Sequence, residues 1–324
     1  MVMVMFVKKL WKILCLTLVI ATMSGCRIRA AKVCATNYPV YYLINRIGGS
    51  YVDACNLSSN DLIQVASVSN TFESDLDEAD VIFTISQLEP YSAIYSEEFA
   101  RASSKTIDLS RTSAIYKFNR YTTTTVNNQQ VVVESDYYEG EVFDNIDTYD
   151  SDVILWMDPI SMMSMAKTIA ETLSELYPEY ERDFSARYEE LEVDLAVLDT
   201  QFQNIRLSNK EVSFVSVTPS FGNWQKSYVF NVYPLILSKY GALPSDEQLN
   251  LICDRITQDG VKYIAHEENL TEEMEALFNE VKERCNLTEI KLNNISSISD
   301  DALANNMDYM TLMYENLSQI EALD

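Results

Sequence analysis

The chain has 324 residues, 47% of them hydrophobic and 11% aromatic, with only 7 Gly and 7 Pro. That composition builds packed cores and excludes a fibrous repeat or a disordered chain. The formal charge is −25, from 49 acidic and 24 basic residues, so the body repels nucleic acid and anionic lipid headgroups and tolerates cations.

The N-terminus carries Lys8 and Lys9, then an apolar run from Ile13 to Thr22, then Met23-Ser24-Gly25-Cys26. The run is shorter than the roughly 20 apolar residues a membrane span needs but suits a secretory leader. Small residues ahead of a cysteine resemble a bacterial lipoprotein signal, which implies cleavage before Cys26 and a lipid on Cys26. Met23 stands where leucine is usual, and Lys12 interrupts the apolar stretch. An ordinary signal peptide with an incidental cysteine is the alternative. In both readings residues 1–25 are targeting sequence and the protein works outside the cytoplasmic membrane. Removing three leader lysines from a charge of −25 takes the mature chain near −28.

After the leader, strands and short helices alternate. Lys32 to Pro39 reads as a strand and turn, and a helix from Val40 to Ile47 stops at Gly48-Gly49. Strands are expected at 51–57, 79–85 and 106–109, with helices at 71–78 and 95–102. This is α/β patterning with mainly parallel sheets. Residues 112–150 break the rhythm: 120–126 and 129–134 around Asn127-Asn128 read as a β-hairpin insertion. The acidic, Tyr-rich stretch 136–152 is expected to be an exposed loop.

A helix is expected at 161–177, and Pro178 opens the next. There Phe184, Tyr188, Leu191, Leu195, Leu198, Phe202 and Ile205 alternate in steps of four and three, placing one apolar stripe along a single helix. A long helix packed across two lobes accounts for it better than a lone coiled coil, because α/β signals resume afterwards. Those signals are strands at 212–217, 261–265 and 287–292, with helices at 229–241, 245–259, 271–285 and 308–323. The expected organisation is a leader (1–25), an N-terminal α/β lobe with the insertion (26–159), a helical segment holding the rigid linker helix (160–208), and a C-terminal α/β lobe (209–324).

Of six cysteines, Cys34, Cys55, Cys253 and Cys285 remain once Cys15 is removed and Cys26 is lipidated. No spacing resembles a zinc-ligand pair. A disulfide is permitted outside the cytoplasm. Cys253 with Cys285 is the expected pair, since they flank one strand on neighbouring helices; buried free thiols are the alternative. No enzyme signature is present: no glycine-rich phosphate loop, no Gly-x-Ser-x-Gly elbow, no His-Glu-x-x-His helix, and one histidine in all, His266. The chain is read as a non-enzyme.

Several segments together resemble the metal-binding lipoproteins of ABC importers, the zinc and manganese solute-binding family (cluster A-I) that includes adhesin lipoproteins. They are Thr36-Asn-Tyr-Pro39 with Ile47-Gly-Gly-Ser50, Glu78-Ala-Asp-Val-Ile-Phe83, Leu155-Trp-Met-Asp-Pro159, Val261-Lys-Tyr-Ile264 leading to Glu267, and Tyr309 to Leu323. The resemblance covers nearly all of the mature chain. It implies two α/β lobes, a lipid anchor, a membrane permease and ATPase as partners, and a divalent metal ion as cargo.

The resemblance also assigns ligand-cleft positions. The family's three histidines fall on Gln64, Ile154 and Thr218, its glutamate on Glu267, and its late aspartate on Asn293. Zinc and manganese need several charged or imidazole donors. Isoleucine donates nothing, and neutral oxygens bind these metals weakly, so the usual site is expected to be degenerate, with Glu267 its one surviving ligand. Trp224 and Tyr228 follow the third position and either floor a pocket for an organic ligand or fill the vacated space. Trp156 reads as core and Asp158 as a helix cap. His266 reads as an ordinary packed or surface histidine. Two alternatives stand beside an importer subunit: a binder of a small organic or chelated ligand, and a surface adhesion lipoprotein without cargo.

Overall fold

The computed structural model describes residues 30–59, 61–86, 88–208 and 210–323; the lipidation expected at Cys26 lies outside them. In the N-terminal half, β1 (Ala31–Ala35) leads into α1 (Tyr38–Gly48), and β2 (Val52–Asn56) follows. Next come α2 (Phe72–Glu78), β3 (Val81–Thr84), α3 (Tyr91–Ile94), α4 (Ser96–Arg101) and β4 (Thr106–Asp108). The sheet order is β2-β1-β3-β4, with β3 parallel to both β1 and β4. The side chain of Asn37 caps α1 by accepting from Val40 N, and Pro39 sits in the first turn. Gly49 ends the helix at φ 54°, where an added side chain would also strike the Arg187 guanidinium.

The insertion contains β5 (Tyr116–Lys117), β6 (Arg120–Val126), β7 (Gln129–Ser135) and β8 (Ser151–Asp152). Asn127 and Asn128 adopt φ of 51° and 68°, the left-handed pair that a two-residue hairpin turn requires. The stretch expected to be exposed is instead anchored. Tyr137, Tyr138 and Tyr149 are buried, while acids such as Glu139, Glu141 and Asp144 remain in solvent. The tyrosine hydroxyls explain this: Tyr138 donates to Pro234 O (2.8 Å), and Tyr137 accepts from Gln225 Nε2 (2.9 Å). Each ring thereby buries apolar area with its polar tip satisfied.

Two helices follow, α5 (Pro159–Leu176) and α6 (Glu181–Leu207). The 27 residues of α6 make one unbroken helix about 40 Å long at 1.5 Å per residue. Its apolar stripe is buried at Phe184, Leu191, Leu195, Leu198, Phe202 and Ile205. It meets the N-terminal half where Arg187 donates to Gly48 O (2.9 Å). It meets the C-terminal half where Phe202 packs on Trp224 and Tyr228, with centroids 5.3 and 4.9 Å apart.

The C-terminal half holds β9 (Ser213–Ser216), α7 (Gly222–Tyr228), β10 (Asn231–Pro234), α8 (Asp246–Gln258), β11 (Tyr263–His266), α9 (Glu272–Arg284), β12 (Thr288–Lys291), α10 (Asp300–Ala304) and α11 (Tyr309–Glu321). Its sheet runs β10-β9-β11-β12, parallel throughout. The helix expected at 229–241 is absent. Val229 is left-handed (φ 62°), ending α7, and Asn231–Pro234 pairs with β9 in the register Val232↔Phe214. The run Val229 to Leu237 is apolar but for Asn231; Pro234 in its middle disfavours a helix interior, and pairing with a buried neighbour strand completes the choice.

The disulfide expectation is also corrected. Cys34 bonds Cys55, with Cα atoms 4.5 Å apart, because β1 and β2 are sheet neighbours that bring the two side chains together. Cys253 and Cys285 are free thiols in side-chain contact with each other.

Candidate functional site

Loops leaving the C-terminal ends of the parallel strands come together between the lobes, where open α/β sheets place their ligands. All six cleft positions, the five assigned by resemblance and Trp224, are buried there or nearby: Gln64 and Ile154 at 1% exposure, Thr218 and Trp224 at 0%, Glu267 at 2% and Asn293 at 8%.

Glu267 follows β11 and is fully engaged. One carboxylate oxygen accepts from Val217 N (2.8 Å) and Thr218 N (2.9 Å). The other accepts from Thr218 Oγ1 (2.6 Å) and Asn294 Nδ2 (2.9 Å). Burial pushes its carboxyl above the ordinary glutamate range, while these donors pull it back. The side chain thus ties together the ends of β9, β11 and β12.

The structure brings Thr218 to Glu267 and leaves the other expected ligands elsewhere. Asn293 turns away: its Nδ2 donates to Glu268 (2.9 Å), and its Oδ1 accepts from Ile295 N (2.7 Å). Asn294 takes the position beside Glu267, since consecutive side chains of an extended segment face opposite ways. Gln64, in the turn Ile63–Val65, approaches Gly241 of the other half so closely that a Cβ there would lie 3.4 Å from its own. Both amide atoms of Gln64 are buried without a hydrogen-bond partner among the described residues.

The Ile154 segment is sealed by hydrogen bonds between the halves. Asn223 Nδ2 donates to Ile154 O (3.0 Å), Trp224 Nε1 to Met157 O (2.7 Å), Tyr309 OH to Trp156 O (2.7 Å) and Trp156 Nε1 to Asn294 O (2.8 Å). Trp224 is therefore a core staple, not the floor of a ligand pocket. Asp158 caps α5 through Ser161 N (3.3 Å). His266 is an ordinary packed histidine, lying between Glu275 (2.9 Å) and Glu289 (3.2 Å) with its ring 4.6 Å from Phe278.

Two buried carboxyls near the site were not singled out from the sequence. Glu89 accepts from Thr36 Oγ1 (2.7 Å) and Asn37 Nδ2 (2.8 Å), and burial pushes its pKa up to about 7. Asp152 accepts from Ile154 N (3.2 Å) and is likewise pushed up to about 7 by burial. Its carboxylate lies over Gly222, where any Cβ would collide with it. Glu89 carries one usable signal, an acid just past a buried parallel strand. Among the described residues, no group of three or more His, Cys, Asp and Glu side chains is arranged to hold a metal. A cavity of about 330 Å³ lies between the insertion, at Phe143 and Ile146, and the C-terminal half, at Leu235, Tyr240 and Ile252; none of the six positions lines it.

Two parallel-sheet lobes backed by one helix, with the site where their strand ends converge, define a two-lobed binding-protein fold with a helical spine. The chain belongs to the ZnuA family, the periplasmic component A of the zinc-uptake complex, whose profile matches residues 33–323. It is 23% identical over 166 residues to the zinc-binding protein AdcA of Streptococcus pyogenes, covering 51% of this chain and 32% of that protein. The chain thus spans about a third of the length of that curated relative. Its fold is similar to the periplasmic zinc-binding protein TroA of Treponema pallidum (TM-score 0.70, 15% identity, covering 90% of this chain and 98% of that one). It is also similar to the laminin-binding protein Lmb of Streptococcus agalactiae, described as both adhesin and metal transporter (TM-score 0.67, 15% identity, covering 89% and 98%).

Proposed function

We propose that the protein is an extracytoplasmic solute-binding component of an ABC importer, anchored to the cell membrane through a lipid on Cys26. Family membership and the leader-like N-terminus support this reading. Its partners are a membrane permease and its ATPase, and it performs no catalysis. The cargo is not zinc or manganese held by the usual side chains. One observation carries that statement: the single carboxylate at a family ligand position, Glu267, spends both oxygens on four protein donors. Metal binding would have to break those bonds and would find Gln64, Ile154 and Thr218 where imidazoles are needed.

A second reading, a surface interaction lipoprotein without cargo, draws on the burial of all six cleft positions and the sealed Ile154 segment. Isolation of the membrane-bound protein after in-cell crosslinking separates the two. The importer reading expects a permease and an ATPase to be recovered with it, and replacement of Cys26 by Ala to release the protein from membranes. Recovery of neither subunit contradicts the importer reading. Membrane retention of the Cys26→Ala protein contradicts the anchor.

A further inference from the structure

A large hollow lies away from the family site. It is a groove of about 1210 Å³ roofed by the β6–β7 hairpin and floored by the C-terminal half. In a chain of formal charge −25 it gathers five cations, Arg120, Arg206, Lys210, Lys226 and Arg255, against two acids, Glu211 and Asp259. Asp259 is already committed to Arg120 (3.1 Å) and Arg255 (2.7 Å). The other three cations make no ion pair among the described residues. Arg206 reaches only Ser227 O (3.4 Å), Lys210 reaches Glu321 O (2.8 Å), and the Lys226 ammonium lies 4.7 Å from the centroid of the Tyr121 ring. The groove is a local positive site on an acidic body.

The roof adds a second observation. Among the described residues β7 pairs with β6 alone, which leaves its other edge open. In an antiparallel pair closed by a two-residue turn, the flanking pair Val126↔Gln129 exchanges hydrogen bonds and the pairs then alternate. Gln130, Val132 and Glu134 fall in the other class, with N–H and C=O turned to the open edge. The same alternation puts the side chains of Gln130, Val132 and Glu134 on one face with Tyr121 and Thr123; Glu134 there pairs with Lys117 (3.3 Å) and lies within the field of Lys226, and the groove is lined by Gln130 and Val132 as well as by Arg120, Thr122 and Thr124 of β6. Val131 and Val133 face the opposite way, and all three valines are exposed. An open edge bearing consecutive exposed valines is a template for another strand.

We propose that this groove and the open edge of β7 together dock an extended segment of a partner protein in which acidic and apolar residues alternate. A strand added to β7 bonds to the backbone at Gln130, Val132 and Glu134. Its residues on the groove face meet Lys226, Arg206 and Lys210, and so are acidic. Its residues on the other face continue the surface of Val131 and Val133, and so are apolar. A phosphate-bearing polymer would use the cations but neither the edge nor the valines, which is why a peptide is favoured.

The test is fluorescence anisotropy with the purified protein and a fluorescein-labelled peptide of alternating glutamate and valine. Controls are the same residues in two blocks, a peptide of alternating lysine and valine, and inorganic polyphosphate. The alternating acidic peptide should bind and the two control peptides should not. Val132→Pro removes one outward N–H while proline remains compatible with an edge strand, and it should weaken binding about tenfold. Lys226→Glu leaves the β7 backbone intact and should weaken binding to a similar degree, giving a second reading if the proline variant disturbs the hairpin. Equal binding by the wild type and both variants overturns the proposal. Polyphosphate binding without peptide binding also overturns it, and makes the groove a site for phosphate polymers.

Discussion

Replacing Glu267 by Ala tests whether this side chain is a structural tie or a spare ligand. The substitution strands the backbone N–H groups of Val217 and Thr218 and the Nδ2 of Asn294 in the protein interior; Thr218 Oγ1 keeps Ser220 Oγ at 2.7 Å. A buried donor left without an acceptor costs about 1–3 kcal/mol, and the two backbone groups cannot rotate away. Removing the buried carboxylate relieves its own desolvation and offsets part of that. The net loss is therefore roughly 3–5 kcal/mol, a fall in melting temperature on the order of 10 °C for a protein of this size. Glu267→Gln keeps the oxygen that serves both backbone groups but sets an NH₂ against the Asn294 NH₂, so about 1–2 kcal/mol should be lost. Thr218→Val removes the 2.6 Å bond, and its effect should be non-additive with Glu267→Gln because the two share one contact. Urea and thermal unfolding followed by circular dichroism measure all four proteins. A Glu267→Ala protein melting within 2–3 °C of wild type, well inside that order of magnitude, would refute the reasoning and return the carboxylate to the pool of available ligands.

Three further outcomes follow from the same geometry. Glu89 is pushed from an ordinary 4.5 up to about 7, and Asp152 from 3.8 up to about 7. At these two sites the folded state holds protons that the unfolded state releases, so the stability they contribute is fully present below about pH 4 and is lost as the pH rises towards 7. Glu89→Gln should flatten that decline in urea titrations, and a slope unchanged by the substitution would show that Glu89 is not the proton holder. Breaking the Cys34–Cys55 bond, which closes a separation of 21 residues, should lower stability by about 3 kcal/mol, read as reduced urea resistance of Cys55→Ser; unchanged resistance would argue against the bond. Gln64→Leu should raise stability by roughly 1–2 kcal/mol, because it replaces an unpartnered buried amide with an apolar group; a destabilised Gln64→Leu protein would mean the amide is satisfied after all.

The linker helix was legible because seven apolar residues from Phe184 to Ile205 keep the helical period, and tertiary contact only had to confirm the stripe. The hairpin was legible because Asn127-Asn128 meets a backbone requirement few residue pairs meet. β10 was misread although Pro234 argues against a helix interior: the apolar residues around it fit either period, and pairing with β9 makes the strand. The disulfide was misplaced for a related reason: which cysteines meet depends on strand order, β2 beside β1, and no spacing encodes that. At the site, Thr218 beside Glu267 was readable from family positions. Asn294 was missed by one residue, because alternation along an extended segment decides which of two asparagines faces the carboxylate. Glu89 was missed because its partners Thr36 and Asn37 lie 53 and 52 residues away, joined by folding alone.

Isothermal titration of the chelator-stripped protein with zinc tests the central claim most directly. With Glu267 tied to four donors and Gln64, Ile154 and Thr218 at the former histidine positions, submicromolar binding should be absent, and weak heat from surface acids should be unaffected by Glu267→Gln. Submicromolar zinc affinity that is abolished by Glu267→Gln in a still-folded protein would contradict the account.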